Sequence, residues 1–160
     1  HTNGEDNQII IDIPARRIWM RGVEVQMSAT HLATYVFLLH QSLCTHYGGL
    51  IKAGQHHPLS EKDIARLGKT YHAIYNLFRD TPIAEARSYL EDVPNIRGYI
   101  ARLRTTIEHV VDNVDLDYYY PKDSSDKSMY RVNINPSCVR LKHTNGECLF
   151  TDYPMWKDLK

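Results

Sequence analysis

Hydrophobic positions along this chain change period twice, and the changes mark out its elements. Ile9–Ile13 is a short apolar run stopped by Pro14. Arg16–Met20 alternates, and Arg21-Gly22 turns it into Val23–Gln26. Together these signals predict a small N-terminal β-meander. From Ser28, a residue suited to a helix N-cap, the period lengthens. Leu32, Tyr35, Val36, Leu39 and Leu43 recur at helical spacing, with Gly48-Gly49 expected to end that helix.

Residues 50–59 read as a connection, after which Ser60 caps a second helix. Glu61 and Asp63 sit in its first turn, where the helix dipole favours them. Ile64, Leu67, Tyr71, Ile74 and Phe78 form its apolar stripe. Thr81-Pro82 restarts the chain into a short helix reaching about Asp92. Pro94 is expected to break it and Asn95 to cap a third long helix, with Ile96, Ile100, Leu103, Ile107 and Val110 on one face. The period then returns to that of a strand. Tyr118–Tyr120 and Met129–Ile134 are predicted strands around the polar turn Pro121–Ser128, with one more strand at Cys138–Leu141. The expected organisation is a disordered lead-in at 1–8, a domain over 9–142 and a tail over 143–160. The pentapeptide HTNGE occurs at 1–5 and again at 143–147. Asn-Gly is a turn dipeptide, so both copies read as polar turns, and the likeness does not extend far enough to make a repeat protein.

Composition narrows the function classes. The 160 residues carry 19 basic and 19 acidic side chains, a net charge of zero. Nucleic-acid affinity rests largely on neutralising phosphates, so this neutrality constrains any such role. No apolar run approaches the roughly 20 residues that span a membrane, and none reads as a signal peptide. Cys44, Cys138 and Cys148 lack CxxC spacing, which predicts reduced thiols and a cytoplasmic setting. The chain starts at His1, not methionine, as a fragment, a processed product or the ordered part of something longer would.

The candidate chemistry centres on arginine. Arg97, Arg102 and Arg104 on the third helix could meet phosphates or guanine edges, with Lys127 and Arg131 helping from the following strand pair. The competing reading is a solvated helix face in which Arg104 pairs with Glu108 at i,i+4. Residues 112–131 hold three basic and five acidic side chains, and Asp112, Asp115 and Asp117 beside the helix would repel phosphate. His40 and Cys44 stand at i,i+4, with His46 and His56-His57 near them in sequence, but the spacing matches no established zinc signature. Surface histidines and a core cysteine are the expectation, with no metal or other cofactor. No GxSxG, HExxH or P-loop is present, so no catalytic residue is assigned. Tyr118, Tyr119 and Tyr120 could stack on bases, or at least one could face the core. Tyr35, Tyr71 and Tyr75 fit helix stripes.

The order of strands, three helices and a hairpin resembles the winged helix-turn-helix effector domain of OmpR/PhoB-type response regulators. RRIWMRGVEVQMSATHLATYVFLLHQ resembles that family's opening, and Ala101-Arg102-Leu103-Arg104 its "(S/A)RLR" core. The span from Gln41 to Pro94 is longer than in that family, and YYYPKDSSDKSMYRV replaces its glycine-rich wing. A narrower resemblance is to the C-terminal domain of CRISPR-associated antiviral proteins with a CARF domain, similar to ring nucleases. IDIPARRIWMRGVEVQMSATHLATYVFLL and MYRVNINPSCVRL carry it. These likenesses imply an α+β fold with an N-terminal β-meander, three to four helices and a C-terminal β-hairpin wing. They also imply DNA or RNA as partner, an upstream cyclic-oligoadenylate-sensing domain whose state could be relayed, and a homodimer. Enzymatic activity would belong to that upstream domain. The alternative is a structural or dimerisation domain that never touches nucleic acid.

Overall fold

A computed structural model describes residues 8–53, 59–81, 89–113 and 115–159, with side chains from 89 to 94 left aside. The fold is mixed α+β. Strands β1 (Ile9–Asp12), β2 (Arg17–Met20) and β3 (Val23–Val25) form the expected antiparallel meander. Its β2–β3 turn places Arg21 and Gly22 at φ of 54° and 79°, the pair of positive values that a two-residue hairpin turn matched to strand twist requires. Two further strands, β7 (Val139–His143) and β8 (Gly146–Leu149), extend the sheet to the order β3-β2-β1-β7-β8, with β1 and β7 parallel. Ile9, Ile11, Ile18, Met20, Val25, Val139 and Leu141 alternate onto its buried face.

Helix α1 (Ala29–Leu43) starts at Ser28, whose Oγ accepts from the His31 N–H at 3.2 Å. It is buried on every side from Leu32 to Gln41. The helix stops before Gly48-Gly49, at Cys44. Side-chain hydroxyls already compete for its last carbonyls there: Ser42 Oγ donates to the Leu38 carbonyl and Thr45 Oγ1 to that of Gln41, at 2.7 and 2.6 Å. Helix α2 (Glu61–Leu77) is capped by Ser60 through the Asp63 N–H at 3.1 Å. Leu67, Tyr71, Ile74 and Phe78 are buried as expected, whereas Ile64 is half-buried.

Helix α3 spans Tyr89–Glu108 without the expected break at Pro94. Proline's missing N–H forfeits one bond, that to the Leu90 carbonyl, but its fixed φ is itself helical. Beyond the proline, the buried stripe Ile96, Ile100, Leu103 and Ile107 holds the helix to the core, with Val111 rather than Val110 completing it. Residues 82–88, where a separate short helix was expected to begin, lie outside the described residues, as do 1–7 with the first HTNGE copy.

A second sheet has the order β4-β6-β5, from β4 (Leu50–Ile51), β5 (Lys122–Asp123) and β6 (Met129–Arg131). β4 lies inside the stretch read as connection, because two residues carry no periodicity to recognise. The strand expected at Tyr118–Tyr120 is instead a helical turn, α4 (Leu116–Tyr119). Tyr119 is fully buried, and its carbonyl accepts the Tyr35 hydroxyl at 2.7 Å, while Tyr118 faces solvent. A turn buries one ring of three more completely than an edge strand does. β6 ends at Arg131, short of the expected Ile134, since the Val132 N–H is taken by Ser42 Oγ at 3.1 Å.

The segment 143–159 carries structure of its own. Its HTNGE copy forms the β7–β8 turn, with Gly146 at φ 135°. Two 3-10 turns follow, Phe150–Asp152 and Pro154–Leu159. They bury Phe150 and Trp156, and the Trp156 indole N–H donates to the Phe150 carbonyl at 2.6 Å. The Trp156 ring also packs on His40 of α1, 4.8 Å between centroids. Both sheets, the three long helices and this segment share one contiguous core.

Trp156→Ala is expected to lower stability by about 3–5 kcal/mol, the range for truncating a buried aromatic, measured by urea unfolding. A dangling tail would give no change. A second expectation concerns pH. Burial, then the Arg66 charge, lowers the His40 pKa to about 4. The unfolded chain therefore binds this proton more readily than the folded one. Stability is complete above the unfolded value near ~6.5 and declines as pH falls towards about 4, by on the order of 3 kcal/mol. His40→Gln should flatten that decline in unfolding midpoints; an identical slope in both proteins would sink the assignment.

Candidate nucleic-acid interface

The stripe that buries one face of α3 dictates what its other face presents. Asn95, Arg97, Gly98, Ala101, Arg102 and Thr105 are exposed. From Asn95 to Ile107 the chain has three arginines and no carboxylate. Gly98 and Ala101 leave the surface between Arg97 and Arg102 low, and a Cβ at Gly98 would meet nothing within 4 Å. The helix backbone can thus approach a groove closely.

The five sequence-predicted contact residues have different placements. Arg102 is exposed, and its charge adds to burial in lowering the His31 pKa. Arg97 is exposed but donates from Nη2 to the Ala53 carbonyl at 2.7 Å, which orients it. Lys127 lies on the exposed loop between β5 and β6 with a positive φ of 61°. Arg104 is turned inward. Its Nε donates to the Pro121 carbonyl at 2.9 Å and its Nη2 to Asp123 Oδ1 at 3.2 Å, and its guanidinium lies 5.5 Å from the Tyr120 ring centroid. The Arg104–Glu108 pair of the competing reading does not form: Arg104 is engaged by Pro121 and Asp123, and Glu108 accepts from the Tyr120 hydroxyl at 2.8 Å. Arg131 is half-buried, and its Nε finds no hydrogen-bond acceptor among the described residues. Gly49 permits this packing: a Cβ there would lie 2.8 Å from both Arg131 Cγ and the Tyr130 carbonyl oxygen.

Arg104 therefore ties α3 to the β5–β6 hairpin, and Asp123 extends the tie. Asp123 Oδ1 also meets Lys52 Nζ at 3.1 Å, joining the chain segment after β4 to the same anchor. Burial pushes the Asp123 carboxyl up, but the bonds and charges of Lys52 and Arg104 outweigh it and hold the pKa below its ordinary value. The hairpin loop is ordered by Asp126. Its Oδ1 accepts from the Ser128 hydroxyl, the Ser124 hydroxyl and the Ser128 N–H at 2.6, 2.8 and 3.0 Å. The Ser128 bonds, followed by that of Ser124, depress the Asp126 pKa. Sequence reasoning missed Lys52, Asp123 and Asp126 as organisers. Ser-x-Asp-x-Ser at 124–128 was a turn signal that could have found the last of them.

The acidic approach expected to repel phosphate is partly neutralised within the fold. Asp115 pairs with Arg21, and Asp117 with Lys122 at 3.2 Å. His40 is buried, His46 stacks on Tyr47, and His56-His57 fall outside the described residues. Among the described residues no three His, Cys, Asp or Glu side chains converge on a metal position, the cysteines form no disulfide, and no helix is long and apolar enough to cross a membrane. Comparison with protein-family models, with curated proteins and with solved structures finds no match.

Arg104→Ala should cost about 1.5–3 kcal/mol, the range for hydrogen bonds to a charged group, and raise amide exchange at Lys122–Asp123 and Met129–Arg131 selectively. Uniform exchange across the hairpin and the N-terminal sheet would contradict the anchoring role. Since the folded pKa of Asp126 is depressed, its stabilisation is complete above the unfolded value near ~3.9 and is lost as pH falls through the lower folded value. Asp126→Asn should show the loosened loop at neutral pH, read from the Ser128 amide resonance.

Proposed function

We propose that this chain is a winged-helix module that binds duplex nucleic acid through the exposed face of α3. The observation carrying this reading is that face itself: Arg97 and Arg102 flank Gly98 and Ala101, with no carboxylate between Asn95 and Ile107. The chain order α1, β4, α2, α3, α4, β5, β6 and the sheet order β4-β6-β5 support it, since a hairpin follows α3 after one helical turn, in the place of a wing. Arg97 and Arg102 serve as contacts and Lys127 meets phosphate from the wing tip. Arg104 holds the wing in place, and Arg131 lies half-buried in β6. B-form DNA is the favoured partner, because its major groove, about 12 Å wide, admits a helix, whereas the deep major groove of RNA does not.

Electroneutrality makes the contact small, with few phosphates and a modest intrinsic affinity. Such a module suits a longer protein that supplies avidity or control. In a CRISPR-associated setting of the kind the sequence resembles, an upstream cyclic-oligoadenylate sensor would have its state relayed through this domain.

Fluorescence anisotropy with a generic duplex at two salt concentrations tests the reading. Binding should weaken steeply with salt. The Arg97→Ala/Arg102→Ala double change should reduce affinity and lower the salt slope by about 2, roughly one for each phosphate that the variant no longer neutralises. Absence of binding at low salt, or an unaltered double variant, would overturn the proposal and leave a structural or dimerisation domain.

A further inference from the structure

A different part of the molecule has chemistry that nucleic-acid binding does not use. A cavity of about 890 Å³ lies between the C-terminal end of α1, helix α2 and the two C-terminal 3-10 turns. Sites for small molecules are typically about 300–1,000 Å³, mostly apolar, with a few placed polar groups. Here the apolar part is aromatic. Tyr47, Tyr153 and Trp156 line the cavity, with Tyr153 edge-on to Trp156 at 5.1 Å.

The placed polar group is Arg66. Its side chain is 24% exposed, lines the cavity and lies over the Tyr47 ring at 4.4 Å. Nη1 donates to Gln41 Oε1 at 3.0 Å. That bond sets the orientation of the Gln41 amide, whose Nε2 then donates to His40 Nδ1 at 3.1 Å. His40 is left as the tautomer protonated on Nε2, uncharged at neutral pH because burial and then Arg66 lower its pKa. The remaining Arg66 nitrogens, Nε and Nη2, have no hydrogen-bond acceptor among the described residues. Asp63 Oδ1 stands 3.5 Å from Nη2, a charge contact too long to serve as a good hydrogen bond. Buried donors without acceptors are costly, and a guanidinium is a planar fork suited to carboxylate or phosphate. Of the other charged lining residues, Lys157 adds a cation and Asp152 an anion, so Arg66 leaves the lining net positive.

We propose that this cavity binds a small ring-bearing anion, of the class of aromatic carboxylates and nucleoside monophosphates. The anionic group reaches the Arg66 guanidinium, which reorients towards it, and the ring packs against Trp156 and Tyr153. The lining comes from α1, α2 and the C-terminal turns together, so an occupant stabilises their packing.

Isothermal titration calorimetry on the full chain tests this with indole-3-acetate, adenosine 5′-monophosphate, indole and inorganic phosphate. One of the two ring-bearing anions should bind, and the better of them assigns the carboxylate or phosphate class. Indole alone and phosphate alone should bind roughly tenfold more weakly or not at all, since each lacks half of the recognition. Arg66→Gln should reduce affinity by about tenfold or more in a protein whose circular dichroism is unchanged. Two exposed positions keep the test independent of that variant's folding: Lys157→Gln should weaken binding and Asp152→Asn should strengthen it. No heat from either ring-bearing anion at millimolar concentration overturns the proposal. So does affinity indifferent to both surface changes.

Discussion

Every part of this molecule is organised by the complete burial of α1. Its residues from Leu32 to Gln41 have no solvent-facing side, so the rest of the chain must supply a surround. Helices α2 and α3 pack on it, and β4 and β6 meet it as well. The N-terminal sheet shares its core, and Trp156 closes against His40. A helix apolar all round is stable only when enclosed, which couples elements far apart in sequence. That coupling explains why residues 146–159 are packed, and why a strand from the C-terminal region adds in parallel to β1.

Full burial also imposes polar demands. Thr34, His40 and Gln41 are buried on α1 and need partners. Thr34 Oγ1 donates a hydrogen bond to the Thr30 carbonyl at 2.9 Å. Gln41 and His40 satisfy each other and recruit Arg66 from α2. The same requirement that completes the core therefore brings a guanidinium to the wall of the C-terminal cavity. Structure and recognition capacity have a common origin there.

The α3 surface follows a similar division of labour. An arginine whose guanidinium closes a hairpin cannot also roam a phosphate backbone, and Arg104 has that fixed role. Arg102 and Lys127, on exposed ground, keep their freedom, while Arg97 is steered by a single carbonyl. Internal pairing of Asp115 and Asp117 weakens the negative field beside the helix without changing the net charge. A neutral chain can in this way present one locally basic face.

Local signals determined much of this architecture. Positive-φ positions at Arg21-Gly22, hydroxyl caps at Ser28 and Ser60, and the apolar stripe of α3 each act within a few residues, so the meander and the long helices were legible. The α+β class and the exposed arginines of α3 followed from them. Tertiary structure decided the remainder. Whether Tyr118–Tyr120 extended or turned depended on a pocket beside Tyr35, 84 positions away in the chain. β4 exists only because β6 offers it partners, and helix α3 crosses Pro94 because packing outweighs one missing hydrogen bond. Which arginines face outward and which brace the fold was likewise invisible to spacing. That choice rests on carbonyls and carboxylates such as Pro121 and Asp123, brought within reach of Arg104 only after the chain has closed around α1.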